Sequence, residues 1–146
     1  MRVIALSCAV ACYFAAFAFA DPASDVVDVF ASMSAALSSN NPPGFMKSID
    51  AEMKGRDELS RDVSALLNQA DIGSSLEFRA NDGDGKTRTV EIDWYLEIRS
   101  REIDAPLIRR RKTVRCKLER EKKGWKVISL DPISLFAPVI YQGDYK

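Results

Sequence analysis

The hydrophobic positions in the first third of the chain follow helical spacing. They recur every three or four residues, as on one stripe of an amphipathic helix: Val26, Val27, Phe30, Met33 and Leu37. Asp21 or Ser24 can cap the first turn, and the helix should end in the Ser, Asn, Pro and Gly cluster at 38–44. The pattern therefore predicts one helix here, followed by a short helical turn at Phe45, Met46 and Ile49.

A second helix is predicted over residues 57–70. Its apolar face consists of Leu59, Val63, Leu66, Leu67 and Ala70. Residues 71–73, which include Gly73, should end it.

From Ser75 onward the hydrophobic period changes to two, which is typical of half-buried strands. The alternating residues are Leu76, Phe78, Val90, Ile92, Trp94, Leu96 and Ile98. Turn residues at 82–85, 102–107 and 122–124 divide this half of the chain. We therefore predict four antiparallel strands with one apolar face for the helices and one charged face for water.

The alternation also suggests a strand register. On the inner face it sets Trp94 opposite Val114, Ile92 opposite Cys116 and Val90 opposite Leu118. The same register forms three ion pairs on the outer face: Glu97 with Arg111, Asp93 with Arg115 and Glu91 with Lys117. In the last hairpin, a turn with Gly124 in a left-handed conformation would set Glu121 opposite Trp125, Leu118 opposite Ile128 and Cys116 opposite Leu130.

The first twenty residues have the pattern of a secretory signal peptide. Arg2 precedes the apolar run 3–19, and Ala18, Phe19 and Ala20 form a signal-peptidase site. We expect cleavage after Ala20, a single mature domain over 21–146, and a periplasmic or extracellular location with no membrane span after cleavage. A membrane anchor suits the short run less well, and a lipoprotein attached at Cys12 is a minor alternative.

The cysteine and histidine content limits the disulfides, catalytic groups and metal sites that the chain can form. Removal of the leader takes Cys8 and Cys12 with it, so Cys116 would remain alone, as a small buried hydrophobe without a disulfide. The chain contains no histidine, which removes His-based catalysis and most zinc or iron sites. We therefore assign no catalytic residue, no metal and no cofactor.

The distribution of charged residues indicates structural roles in strands and turns more than a binding surface. The 21 basic and 21 acidic residues balance, which argues against a nucleic-acid partner. The basic run 109–112 falls in a predicted strand whose outward members have acidic neighbours, so it is interpreted as structural. Residues 82–85 lack the closing acid of a calcium loop and are interpreted as a hairpin turn.

Four aromatic residues are the candidate ligand-binding set. Phe45, Phe78, Trp94 and Phe136 could line an apolar pocket for a small hydrophobic molecule. The competing interpretation is that they are ordinary core residues.

The segments that carry a family resemblance are TVEIDWYL at 89–96, GWKVISLDP at 124–132 and DPISLFAP at 131–138. The chain resembles the nuclear transport factor 2-like superfamily, in which helices are followed by an antiparallel meander. Its SnoaL-like, ketosteroid-isomerase-like and uncharacterised exported bacterial members are the relevant comparison. The resemblance covers 22–138 and implies an α+β fold in which N-terminal helices pack on a strongly curved sheet, a cone-shaped or cystatin-like roll. It carries over no catalytic residue, because the strand acids here should point outward.

Two function hypotheses follow. The preferred one is an exported, non-catalytic domain of the cell envelope that binds a small molecule or another envelope protein. The alternative is an isomerase or dehydratase with a pocket carboxylate, for which Asp50, Glu52 or Asp71 would have to lie beside a donor such as Tyr95. A homodimer through the charged sheet face is conceivable, but no exposed apolar stripe supports it.

Overall fold

The computed structural model describes residues 21–140, which form helices followed by a sheet. The α-helices are α1 (Pro22–Ser38), α2 (Pro42–Met46) and α3 (Arg56–Gln69), and the strands are β1 (Ala70–Gly83), β2 (Thr87–Ser100), β3 (Ile108–Glu121) and β4 (Gly124–Asp131), followed by the 3-10 helix Ile133–Phe136. The strands form one antiparallel sheet in the order β1-β2-β3-β4. The α+β prediction is confirmed, while the predicted signal peptide and the last six residues of the predicted domain lie outside the described residues.

Helix α1 forms as its sequence pattern predicts. The Asp21 carboxylate accepts a hydrogen bond from the backbone N–H of Ala23 at 3.1 Å, which caps the helix, and Pro22 occupies the first turn. The predicted stripe is buried at Val26, Phe30, Met33 and Leu37. This stripe packs mainly against β1 and α2, which joins the helical layer to the sheet.

The boundary after α3 differs from the prediction. Residues 71–73 do not end the helix in a loop, because β1 already begins at Ala70. Asp71, Ile72 and Gly73 pair with residues 97–99 at the end of β2. The backbone of this segment pairs with β2 in the sheet. Strand β1 therefore begins five residues before Ser75, where the predicted alternation starts.

The two faces of the sheet are as predicted. Ile92 and Cys116 are buried beneath the helices, while Arg115 and Lys117 are exposed on the opposite face, where Asp93 is partly buried. Since neighbouring residues of a strand point to opposite faces, this result fixes the direction of every side chain in β2 and β3.

The predicted pairing of β2 with β3 is wrong by two residues. Val90 pairs with Cys116 and Ile92 with Val114, so Trp94 lies opposite Lys112. The ladder continues to Ile98 opposite Ile108, which brings two apolar residues together just before the connecting loop. A shift of two keeps every side chain on its face, so the apolar pattern could not exclude it.

The predicted ion pairs change with the register. Glu97 lies opposite Arg109, Asp93 opposite Thr113 and Glu91 opposite Arg115. Arg111 still reaches an acid, because its guanidinium extends diagonally to Asp93 at 3.0 Å. Long side chains thus form ion pairs in either register, and counting charge pairs could not decide between them.

The last hairpin contains a bulge that the alternation conceals. Cys116 pairs with Leu130 as predicted, but Leu118 pairs with Val127, and Glu121 pairs with Gly124 instead of Trp125. Ile128 is the additional residue at this register shift. The positive φ of 110° at Gly124 agrees with the prediction, although only Lys122 and Lys123 lie in the turn.

A second register shift lies between Phe78 and Ala80 in β1, where Arg79 has no direct partner. Bulges of this kind bend a strand and increase its local twist. The sheet therefore curves around the helices, and its concave side carries the core.

The first hairpin is present, but its turn lies at 84–86, because Asp82 and Gly83 of the predicted turn 82–85 still pair with β2. The Asp84 carboxylate accepts hydrogen bonds from the backbone N–H groups of Lys86 and Thr87, at 2.8 and 2.9 Å, and these bonds lower the pKa of Asp84. Gly83 has a φ of 141°, and a Cβ at this position would lie 2.3 Å from the carbonyl oxygen of Thr87. The turn therefore requires glycine there.

The free edge of β4 is covered at one point by the chain that follows α2. Ile49 forms a parallel bridge with Val127. The backbone of Val127 accepts a hydrogen bond from Asp50 N–H and donates one to the carbonyl of Ser48, both at 2.9 Å. This short segment ties the helical layer to the edge of the sheet.

Candidate functional site

The four predicted pocket-lining residues lie in or against a packed aromatic cluster. Phe45, Trp94 and Phe136 are fully buried, and their ring centroids lie 5.0 to 6.4 Å apart. Phe78 is only partly buried and packs edge-on against Phe30 at 6.1 Å. The structure thus brings three of the four together as touching core residues, and a ligand could enter among them only by displacing a ring.

The one polar atom of this cluster already has a partner. Trp94 Nε1 donates to Ser74 Oγ at 2.8 Å, and Ser34 Oγ donates to the same oxygen at 2.7 Å. A buried indole N–H normally requires such a partner. The hydrogen bonds between these three residues therefore stabilise the packed state of the interior.

The carboxylates considered for the enzyme alternative lie outside the interior. Asp71 is exposed and pairs with Arg101 at 3.2 Å, and Glu52 is exposed. Tyr95 lies on the outer face of the sheet, opposite Arg111. Ser34 and Arg88 are the only polar residues that are buried between residues 21 and 140, so no buried carboxylate is present there.

Asp50 has a different neighbour from the one expected for a catalytic acid. A hydrogen bond between the Asp50 and Glu121 carboxyl groups lowers the pKa of Asp50 and raises the pKa of Glu121. Both groups lie beside β4 and near solvent, and neither adjoins the aromatic cluster.

A depression on the surface lies between α1 and the β3–β4 hairpin, and we call it the hairpin cleft. Its volume is about 480 Å³. The α1 side contributes Asp25, Asp28, Val29 and Ser32, and the opposite side contributes Gly44, Lys47 and Ser48 with Arg120 and residues 123–126 of the hairpin.

The two sides of the hairpin cleft carry opposite charge. Asp25 and Asp28 lie on α1, whereas the other side carries four cations: Lys47, Arg120, Lys123 and Lys126. Across the described range, none of these six side chains comes within 4 Å of an opposite charge. Lys126 Nζ donates instead to the backbone carbonyl of Lys47, which fixes one cation at the edge of the cleft.

Trp125 lies in the hairpin cleft and is 7% exposed. Its Nε1 has no hydrogen-bond partner within the part of the chain that the structure describes. A buried donor without an acceptor costs about 1–3 kcal/mol, so such a group is unusual. The cleft therefore combines unpaired charges with an unpaired donor.

The outer face of the sheet carries a second depression, of about 420 Å³, around Asp93. The Asp93 carboxylate accepts hydrogen bonds from Thr113 Oγ1 at 2.7 Å, from Arg79 Nη2 at 2.6 Å and from Arg111 Nη2 at 3.0 Å. These bonds, with Thr113 the strongest contributor, lower the pKa of Asp93 from 3.8 to about 2. The Asp93 carboxylate thus accepts its hydrogen bonds from residues of the same sheet, which favours a structural role for this group.

Within the basic run 109–112, Arg110 points toward the helical side and performs a structural task. Its guanidinium donates to the backbone carbonyls of Leu135, Ala137 and Pro138 after β4, at 2.9 Å in the case of Leu135. Partial burial lowers the pKa of Arg110. Together with the Arg111–Asp93 bond, this arrangement agrees with the structural interpretation of the run.

The hairpin cleft cannot be recognised in the sequence. Its residues come from three segments separated by many positions, and only the bridge at Ile49 and the packing of α1 bring them together. Asp25 and Asp28, three residues apart on a helix, and the consecutive Lys122 and Lys123 were the available signals.

Residues 21–140 contain no group of three or more acidic or cysteine side chains able to hold a metal ion. No helix in the same part of the chain is long and apolar enough to cross a membrane.

Comparison with known proteins supports the fold. The sequence matches no protein-family model and no curated protein. Among solved structures, a candidate dehydratase of the nuclear transport factor 2-like family from Streptomyces avermitilis superposes with a TM-score of 0.58 at 14% identity, over 74% of this chain and 91% of that one.

Two other solved structures give similar superpositions. A protein of unknown function with a cystatin-like fold from Nostoc punctiforme has a TM-score of 0.55 at 18% identity, over 75% of this chain and 90% of the other. A candidate aromatic ring hydroxylase from Novosphingobium aromaticivorans has a TM-score of 0.61 at 12% identity, covering 75% and 85%. The chain therefore has the nuclear transport factor 2-like, cystatin-like fold that its sequence resembled.

Proposed function

We propose that this chain is an exported, non-catalytic binding domain of the cell envelope that contacts its ligand or partner on the outside of the fold. The observation that carries the proposal is the packed interior. Phe45, Trp94 and Phe136 pack against one another in the interior, with ring centroids 5.0 to 6.4 Å apart, which leaves the outer surface for a ligand or partner.

Export is supported by the leader pattern at 1–20. The absence of catalysis is supported by the positions of the acids, since the only charged side chain buried within residues 21–140 is Arg88. The candidate hydroxylase and dehydratase share the fold, but a fold by itself does not carry an activity. Isomerase or dehydratase chemistry is therefore the second hypothesis.

A thermal-shift experiment with indole as an apolar probe tests whether the interior is closed. We expect indole to leave the unfolding temperature of the wild-type protein unchanged. The Phe136→Ala substitution opens a cavity in the cluster, so indole should stabilise this variant, by about 1.4 kcal/mol at a tenfold excess over its Kd. Leu107→Ala, which removes a partly exposed side chain 44% accessible to solvent, is the control and should gain nothing.

Phe136→Ala will itself cost about 3–5 kcal/mol of stability, and Phe136→Leu replaces it if the alanine variant does not fold. An equal stabilisation of wild type and variant by indole would show that the interior already accepts ligands. That result would overturn the proposal.

A further inference from the structure

We infer that the hairpin cleft binds a small zwitterionic ligand, whose cationic group faces Asp25 and Asp28 and whose anionic group faces the basic side. The inference rests on the proposed function, because it names the chemistry that would be recognised on the outside of the fold.

Acidic and basic side chains line opposite sides of the hairpin cleft. Asp25 is partly covered and Asp28 is exposed, and both lie on the same side of α1. Across the cleft, Lys123 and Arg120 are exposed on the hairpin. Opposite charges that line one depression without pairing with each other leave both sides available to a ligand that carries both signs.

The two charged sides of the hairpin cleft select against ligands that carry charge of one sign only. A ligand with only anionic groups would meet two carboxylates on α1, and a ligand with only cationic groups would meet the basic side. Placing like charges together is unfavourable, so each kind is disfavoured by one side of the cleft. A zwitterion with its charges at opposite ends satisfies both sides.

The size of the hairpin cleft and the presence of Trp125 in its lining also suit a small ligand. A volume of about 480 Å³ lies within the range of about 300–1,000 Å³ that is typical of small-molecule sites. Trp125 supplies an aromatic surface there, and its Nε1 lacks an acceptor within residues 21–140. A small polar ligand fits these features better than a broad macromolecular surface would.

Isothermal titration calorimetry on protein purified after expression of the whole chain tests this inference. The probe is the dipeptide lysylglutamate, which carries two ammonium and two carboxylate groups. Glutarate and cadaverine are the matched ligands with charges of one sign only. The titrations use an ionic strength of about 0.01 M, where exposed charges are least screened.

We expect lysylglutamate to bind with a Kd of about 1 mM or tighter, and the two single-sign ligands to bind more weakly. Lys123→Gln and Asp28→Asn should each weaken binding by about two- to fivefold, the range for one exposed charge pair. Lys122→Gln and Asp57→Asn are the controls, because their side chains are exposed outside the cleft. They should change the Kd by less than about 1.5-fold.

Three results would each overturn the inference: no heat of binding at about 10 mM dipeptide, glutarate or cadaverine binding as tightly as the dipeptide, or Lys122→Gln weakening binding as much as Lys123→Gln. These failures differ from failure of the proposed function. An interior that accepts indole in the wild-type protein would overturn that proposal whatever the cleft binds.

Discussion

Asp93 illustrates how one side chain organises the outer face of the sheet. Its carboxylate receives hydrogen bonds from β1 through Arg79 and from β3 through Thr113 and Arg111, so it connects three neighbouring strands. The predicted partner, Arg115, instead approaches Glu91 at 3.8 Å. The sequence indicated that Asp93 would be paired on this face, but its actual partners depend on a register that charge pairing alone could not establish.

The low pKa of Asp93 predicts a specific pH dependence of stability. An acid whose pKa is lower in the folded state than in the unfolded state stabilises the fold while it is ionised. This contribution is present in full above about pH 4 and is lost as the pH falls through about 2. Asp93→Asn should therefore be less stable than wild type at neutral pH, and the difference should shrink between about pH 4 and pH 2.

Urea unfolding at a series of pH values measures this effect. Glu102→Gln is the control, because Glu102 is exposed and forms no ion pair within residues 21–140. A difference between Asp93→Asn and wild type that stays constant down to pH 2 would contradict the assigned role.

The aromatic residues show what a sequence can say about single positions. Apolar alternation correctly placed Trp94 on the inner face, but it does not distinguish a ring that lines a cavity from a ring that touches other rings. That distinction depends on side chains from α2 and the 3-10 helix, which contribute Phe45 and Phe136. Packing between distant segments decides whether a ring lines a cavity or contacts other rings. The hydrophobic periodicity of one segment does not predict such packing.

At the scale of the elements, helices and strands were more predictable than their mutual register. The stripe in α1 and the alternation in β2 each arise within one segment, so they are visible in the sequence. The bulges at Arg79 and Ile128 are not, because each follows from how two strands meet. Residues 71–73 were misassigned for the same reason, since their partners lie in β2, more than twenty positions away.

Arg110 of β3 binds the segment that follows β4. Substitutions at Arg110 and at its neighbour Arg109 should therefore differ in their effect on the stability of the fold. Arg110→Ala should lower the free energy of unfolding by about 1–3 kcal/mol, because up to three carbonyls lose a donor. Arg109→Ala, at an exposed position of the same strand, should change it by less than about 0.5 kcal/mol. Urea unfolding of both variants provides the comparison.

Hydrogen exchange distinguishes a local effect from a general one. Loss of Arg110 should increase amide exchange at 133–139 more than in β2. Equal destabilisation by Arg109→Ala would show that the charge of the strand matters and that the anchoring contacts do not.

At the scale of the whole molecule, the curved sheet and the side of it that faces the helices could be predicted, whereas the hairpin cleft could not. A cleft between α1 and the β3–β4 hairpin exists only once the sheet has curved and segment 48–50 has joined β4. The charges of Asp28 and Lys123 are plain in the sequence. Their proximity is a property of the folded chain.

The proposed export and the burial of Cys116 together predict the number of reactive thiols. Cys116 is buried, and burial raises the pKa of its thiol to about 12, so DTNB should label no cysteine in the native protein purified from the periplasm. After denaturation it should label one per chain, and the N-terminal residue should be Asp21. Three thiols after denaturation would mean that Cys8 and Cys12 remain and that the leader is not removed.

The bridge between Ile49 and Val127 has a consequence for self-association. An outermost strand offers unpaired N–H and C=O groups to which another copy could add its own strand and begin an aggregate. Here both backbone groups of Val127 are already occupied by Ser48 and Asp50. The segment thus blocks extension of the sheet at this point of its edge, which lowers the tendency of folded copies to join one another.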